Sequence, residues 1–97
     1  MIYIGDAFTL AMLTKPAVTL WCRRIDVAEL KELLRTSRWS SRVGHQDLAQ
    51  ALSAVLGVQI PVNTARVSLN QWDVYIMAQP RPPEEPNLVF YSVDVLD

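Results

Sequence analysis

The chain has 97 residues, 51% of them hydrophobic, with nine basic side chains against ten acidic ones and a single cysteine. A chain this short removes only about 60 to 65 per cent of its unfolded surface from water, so it supports one core and excludes a second domain. The net charge of −1 argues against coating of long nucleic acids, and no apolar run approaches the roughly 20 residues that span a bilayer.

In chain order, Ile2 to Ile4 is a short strand-like run closed by Gly5 and Asp6, and Ala7 to Leu13 is an apolar segment ending at Lys15-Pro16. The opening residues lack the basic, apolar and small-residue order of a signal peptide. Residues 17–25 are rich in β-formers and predict a second strand. Cys22, inside that run, has no partner for an internal disulfide, which points to a reducing, cytoplasmic compartment. Asp26 stands three residues before Glu29 in capping-box spacing, and Val27, Leu30, Leu33 and Leu34 repeat at helical period. An amphipathic helix from 27 to about 36 follows from that pattern. Trp39 to Val43 is β-compatible and stops at Gly44. Leu48, Leu52, Val55 and Leu56 then predict a second helix, with Gly57 as its terminator.

Val58 to Val62 carries Pro61 and reads as an edge or a linker. Thr64 to Leu69 and Trp72 to Ala78 flank Asn70-Gln71 and predict a hairpin, although the turn lacks its usual glycine. Four prolines between 80 and 86 stiffen a loop around Arg81, Glu84 and Glu85. Leu88 to Leu96 is a final strand with Val89, Tyr91, Val93 and Val95 on one face and Phe90, Ser92 and Asp94 on the other. The sum is an α/β domain spanning 1–97, a mixed sheet of about five strands with two main helices.

The charge is unevenly spread. Six of the nine bases lie between 23 and 42, no acid interrupts Leu33 to Gln46, and after Arg66 the only base is Arg81. This basic stretch is either a solvated helix face or the footprint of a modest anionic ligand, for which the arginine fork is well shaped. There is no glycine-rich phosphate loop and no Cys or His cluster, so neither a cofactor nor a metal is expected. No nucleophile elbow surrounds any serine.

Any catalysis therefore centres on His45, the only histidine, which follows Gly44 where a strand turns into a helix. Such a junction gathers free N–H groups and the positive end of the helix dipole, and Gly44 lets a ligand approach the backbone. The plainer alternative is that His45 caps the helix, with Asp47 answering the dipole. Arg81 and Glu84, three positions apart, either clamp a phosphate and orient a ribose hydroxyl or form a surface ion pair worth under about 1 kcal/mol.

These pieces resemble the small viral ring nucleases, anti-CRISPR proteins found in archaeal viruses, in phages and in some cellular type III CRISPR loci. The resemblance runs nearly end to end. It is carried by YIGDAFTLAML (Tyr3 to Leu13), which looks like the family's Y-L-A-N-A-F-S-x-N-M-L, by VGH (Val43 to His45) before a leucine-rich helix, by VQIPVN (Val58 to Asn63), and by Arg81-x-x-Glu84 before a last strand.

The resemblance implies a homodimer that binds cyclic tetra-adenylate, the second messenger of type III CRISPR defence, and cuts it without a metal into linear di-adenylates. It implies His45, Arg81 and Glu84 as the catalytic residues: proton donor, phosphate clamp, and orienter or base. Asp6, Thr9, Gly44, Gln46 and Arg66 are the implied substrate-binding residues. Asp6 stands where the family usually has Asn, Thr9 replaces a Ser, and Ala11 replaces an Asn. Thr64 occupies the site of a basic residue for which Arg66 is placed to substitute, and Pro80 replaces a Gly. Two readings of other classes stand beside it: a non-catalytic sponge for the same ring, and a small regulatory dimer that contacts protein or DNA through the Arg23 to Arg42 segment.

Overall fold

The structure, a computed structural model, describes residues 1–80 and 88–97. Five strands form one sheet: β1 (Ile2–Gly5), β2 (Leu20–Ile25), β3 (Trp39–Arg42), β4 (Val74–Pro80) and β5 (Leu88–Val95), in the order β2-β5-β4-β1-β3. Strand β1 runs parallel to both β3 and β4, and β5 runs antiparallel to β4 and to β2. The mixed sheet and the two helices, α1 (Val27–Thr36) and α2 (Gln46–Leu56), are those the hydrophobic patterns predict.

Each helix begins and ends where its local chemistry dictates. Asp26 at the start of α1 accepts a hydrogen bond from the Glu29 amide at 2.8 Å. The Glu29 carboxylate does not complete the capping box; it meets Arg23 through two hydrogen bonds of 2.6 and 3.1 Å. That pairing with the guanidinium holds the Glu29 carboxyl below its ordinary value. Replacing Asp26 with Ala is expected to cost about 1 kcal/mol, read as a lower urea midpoint with unchanged slope. Helix α2 stops at Gly57, which takes φ +71, a left-handed conformation that glycine adopts without steric cost.

Alternation along the strands creates two cores. On one face Ile2, Ile4, Ile25, Ile76, Ala78 and Phe90 pack against Leu30 and Leu34 of α1 and Leu52 and Leu56 of α2. Each fully buried aliphatic side chain here stabilises by about 1.5 to 3 kcal/mol relative to exposure. The opposite face, with Tyr75, Val93 and Val95, is covered by chain outside the sheet: Phe8, Met12 and Leu13 from a segment that includes a short 3-10 turn (Leu10–Met12), and Val67 and Leu69 from another.

The predicted hairpin around Asn70-Gln71 does not form. Leu69 makes an isolated parallel bridge with Leu13, and its amide donates to the Met12 carbonyl at 2.7 Å. Asn70 to Asp73 is a closed turn in which the Asp73 amide donates to the Asn70 carbonyl and Trp72 takes φ +73. Val67 and Leu69 do alternate inward as the pattern requires, but they bury against the sheet face instead of extending its ladder. Val58 to Val62 is likewise outside the sheet, touching it through one bridge between Val43 and Val62. Among the described residues no helix is long and apolar enough to cross a membrane.

Candidate functional site

The carboxyl ends of β1 and β3 lie side by side, with Gly5 in register with Arg42. Open α/β sheets place ligands at this end of their parallel strands. Asp6 follows β1 directly, Arg42 closes β3, and Gly44-His45 lead into α2. The segment after α2 is pinned alongside, because the Asn63 amide donates to the Val43 carbonyl at 2.8 Å. Between these chain ends is a cleft of about 440 Å³ whose walls include Asp6, Thr9, Met12, Arg42, Arg66 and Tyr75.

The wall of this cleft requires Gly5. A Cβ there would run into the Tyr75 hydroxyl and stand 2.8 Å from its Cζ and 3.2 Å from the Arg42 carbonyl. Tyr75 is buried, and its hydroxyl donates to the Ala7 carbonyl at 2.7 Å, fixing the turn that carries Asp6. Burial, and secondarily the Asp6 carboxylate, push the Tyr75 hydroxyl above its ordinary value, so it remains a protonated donor at neutral pH.

His45 occupies the N-cap position of α2 with extended backbone, and its carbonyl accepts the Ala49 amide at 3.0 Å. Its side chain makes no capping hydrogen bond. It reaches across to Asp6, with Nε2 3.4 Å from Oδ2, while 78% of the side chain remains exposed. Backbone capping and a side chain free for chemistry are thus separate properties of one residue.

Asp6, Thr9 and Arg66 line one cleft, and His45 flanks it through Asp6. Gly44 adjoins it with open space: an added Cβ would meet only the Thr64 methyl, at 3.8 Å. Gln46 does not join them, because the first turn of α2 directs it into a different depression with Gln50, Ser53 and Gln59. Arg81 and Glu84 lie outside the described residues.

Arg42 belongs to the cleft although the sequence marks it only as the last arginine of the basic stretch. The signal was the alternation in β3, which sets Ser40 and Arg42 on the sheet face of Tyr3. Within the basic stretch from 23 to 42, Arg23 of β2 is paired with Glu29 and Arg35 of α1 with Glu32, whereas Arg42 turns into the cleft. Two arginines against one carboxylate, beside a hydroxyl and an imidazole, suit an anionic ligand. Among the described residues no three His, Cys, Asp or Glu side chains converge.

These features define a small open-sheet α/β domain with a polar cleft at the carboxyl ends of its parallel strands. Residues 2–88 match the STIV B116-like family, and the chain belongs to it. The chain is 28% identical over 97 residues to "Uncharacterized protein 26" of Sulfolobus islandicus filamentous virus (isolate Iceland/Hveragerdi), covering all of this chain and 82% of that relative. The solved structure of B116 of Sulfolobus turreted icosahedral virus superposes with a TM-score of 0.78 over 95% of this chain and 97% of that one, at 19% identity. The fold is the B116 fold, and the relatives compared are viral proteins.

Proposed function

We propose that the protein is a ring nuclease of type III CRISPR signalling, in which two copies hold cyclic tetra-adenylate between them and cut it to linear di-adenylates. The observation that carries this reading is the meeting of Asp6, Thr9, His45 and Arg66, from separate stretches of chain, around one cleft. A ring of four identical nucleotides is matched by an isologous two-fold interface, which sets one His45 against each of two opposite phosphodiesters.

In the proposed reaction a ribose 2′-hydroxyl attacks the adjacent phosphorus in line. The bond from phosphorus to the 5′ oxygen breaks, and a 2′,3′-cyclic phosphate forms. His45, as imidazolium, gives its proton to the departing 5′ oxygen, and the 2′ proton passes to Glu84 or to water. Arg81 and the cleft arginines offset charge on the phosphoryl oxygens, while Thr9 donates a hydroxyl hydrogen bond. A positioned proton donor contributes about 10² to 10⁴ in rate, with orientation and electrostatics supplying the remainder.

The decisive experiment incubates excess cyclic tetra-adenylate with the protein and follows products by chromatography, with and without EDTA. Many turnovers to di-adenylate, unchanged by EDTA, are expected. Stoichiometric uptake of the ring without product would instead identify a sponge, and loss of turnover on chelation would overturn the metal-free step. Salt-sensitive duplex binding without ring affinity would identify a DNA-binding regulator.

A further inference from the structure

Two arginines of this protein lie over aromatic rings, and they differ in one respect. The Arg23 guanidinium lies 5.1 Å from the centre of the Trp21 ring, and its charge is answered by the Glu29 carboxylate through two hydrogen bonds. The Arg42 guanidinium lies 5.0 Å from the centre of the Tyr3 ring, and among the described residues no carboxylate stands within 4.0 Å of it.

Arg42 is nonetheless held in place. Nη1 donates to Ser40 Oγ at 2.5 Å and to the Ser41 carbonyl at 2.8 Å. Nε is buried without a hydrogen-bond partner among the described residues, as is Nε of Arg23, so it does not distinguish the two. The residue lines the cleft together with Arg66 and Thr9, whereas Asp6, the one carboxylate there, is turned to His45.

We infer that Arg42 is a phosphodiester-binding residue: a planar fork held by Tyr3 and Ser40, with its Nη2 hydrogens available to a phosphate oxygen of the ligand. Stacking and the two Nη1 bonds fix its orientation before any ligand arrives, so little side-chain freedom is lost on binding. A lysine at this position would keep the charge but lose both the stacking plane and the fork. The inference rests on the ring-nuclease reading for the identity of the ligand, but not for the phosphodiester chemistry.

The test follows the Nε–H resonance of Arg42 in the ¹⁵N-labelled protein, assigned by its disappearance in Arg42→Lys. Addition of cyclic tetra-adenylate is expected to shift that resonance to saturation. Arg42→Lys should weaken ring binding roughly ten- to hundredfold without loss of the folded spectrum. Arg42→Gln should also lower the slope of log affinity against log salt by about 0.7, the value for one phosphate contact on a single strand. If the ring saturates the protein while the Arg42 resonance stays fixed and both variants bind as wild type does, the inference is overturned.

Should the ring not bind at all, the ring-nuclease reading fails, and the linear dinucleoside monophosphate ApA at millimolar concentration decides the matter alone. A saturable shift of Arg42 Nε–H with ApA, absent with adenosine, supports the phosphodiester site. No shift with ApA rejects it.

Discussion

His45→Ala is expected to lower single-turnover cleavage of cyclic tetra-adenylate by about a hundredfold or more while leaving ring affinity and thermal stability close to wild type. The separation of effects follows from geometry. The imidazole is largely exposed and meets the protein at Asp6 alone among the described charged groups, so its removal opens no cavity. The N-cap function is carried by the backbone carbonyl, which alanine retains. What alanine lacks is a proton for the departing 5′ oxygen. Rapid-quench measurement at saturating protein isolates that step from product release, and an undiminished rate would remove His45 from the reaction.

The sheet and helices were legible because each has a strong local signal and a matching tertiary role. The leucines of α1 and α2 that recur at helical period are the ones packed on Ile4 and Ile76, and Gly57 ends α2 as its position predicts. The region between α2 and β4 departs from the predicted hairpin for a physical reason. Alternation at Val67 and Leu69 reports which side chains face inward, not what the backbone pairs with, and here the inward face belongs to a covering segment rather than a ladder. An antiparallel β5 that separates β2 from β4 is likewise set by long-range pairing that no local pattern encodes.

At the site, the residues legible in the sequence were those with motif context: Asp6 and Thr9 in the opening block, and His45 after Gly44. Arg42 had no such context, and its place in the cleft depends on the register of β3 against β1. Gln46 shows the converse limit. It adjoins His45 in sequence, yet one residue of helical advance carries it around to another depression. The pairing of Arg23 and Arg35 depends similarly on where Glu29 and Glu32 fall in space.

Gly5→Ala is expected to destabilise the protein by about 2 to 4 kcal/mol, since it combines overpacking of a rigid wall with loss of a buried hydrogen bond. The new methyl would occupy the place of the Tyr75 hydroxyl. Tyr75 cannot withdraw easily: it is 1% exposed, packed in the second core, and bonded to the Ala7 carbonyl. Nor can β1 shift, because Gly5 is paired with both Arg42 and Met77. For a domain whose whole stability is about 5 to 15 kcal/mol, a loss of that size lowers the thermal midpoint by roughly 8 °C or more. Tyr75→Phe alone should cost about 1 kcal/mol, the hydrogen bond only. In the double variant the hydroxyl is gone, and the methyl still contends with the ring carbon at 2.8 Å and the Arg42 carbonyl at 3.2 Å. The Gly5→Ala penalty measured in that background should therefore shrink by about 1 kcal/mol, a coupling that urea denaturation of the four proteins measures directly. Additive penalties would show that the hydroxyl does not set the need for glycine. The same clash reaches the cleft, because the Ala7 carbonyl that Tyr75 holds is next in sequence to Asp6, so ligand affinity should fall in Gly5→Ala even at temperatures where the chain remains folded.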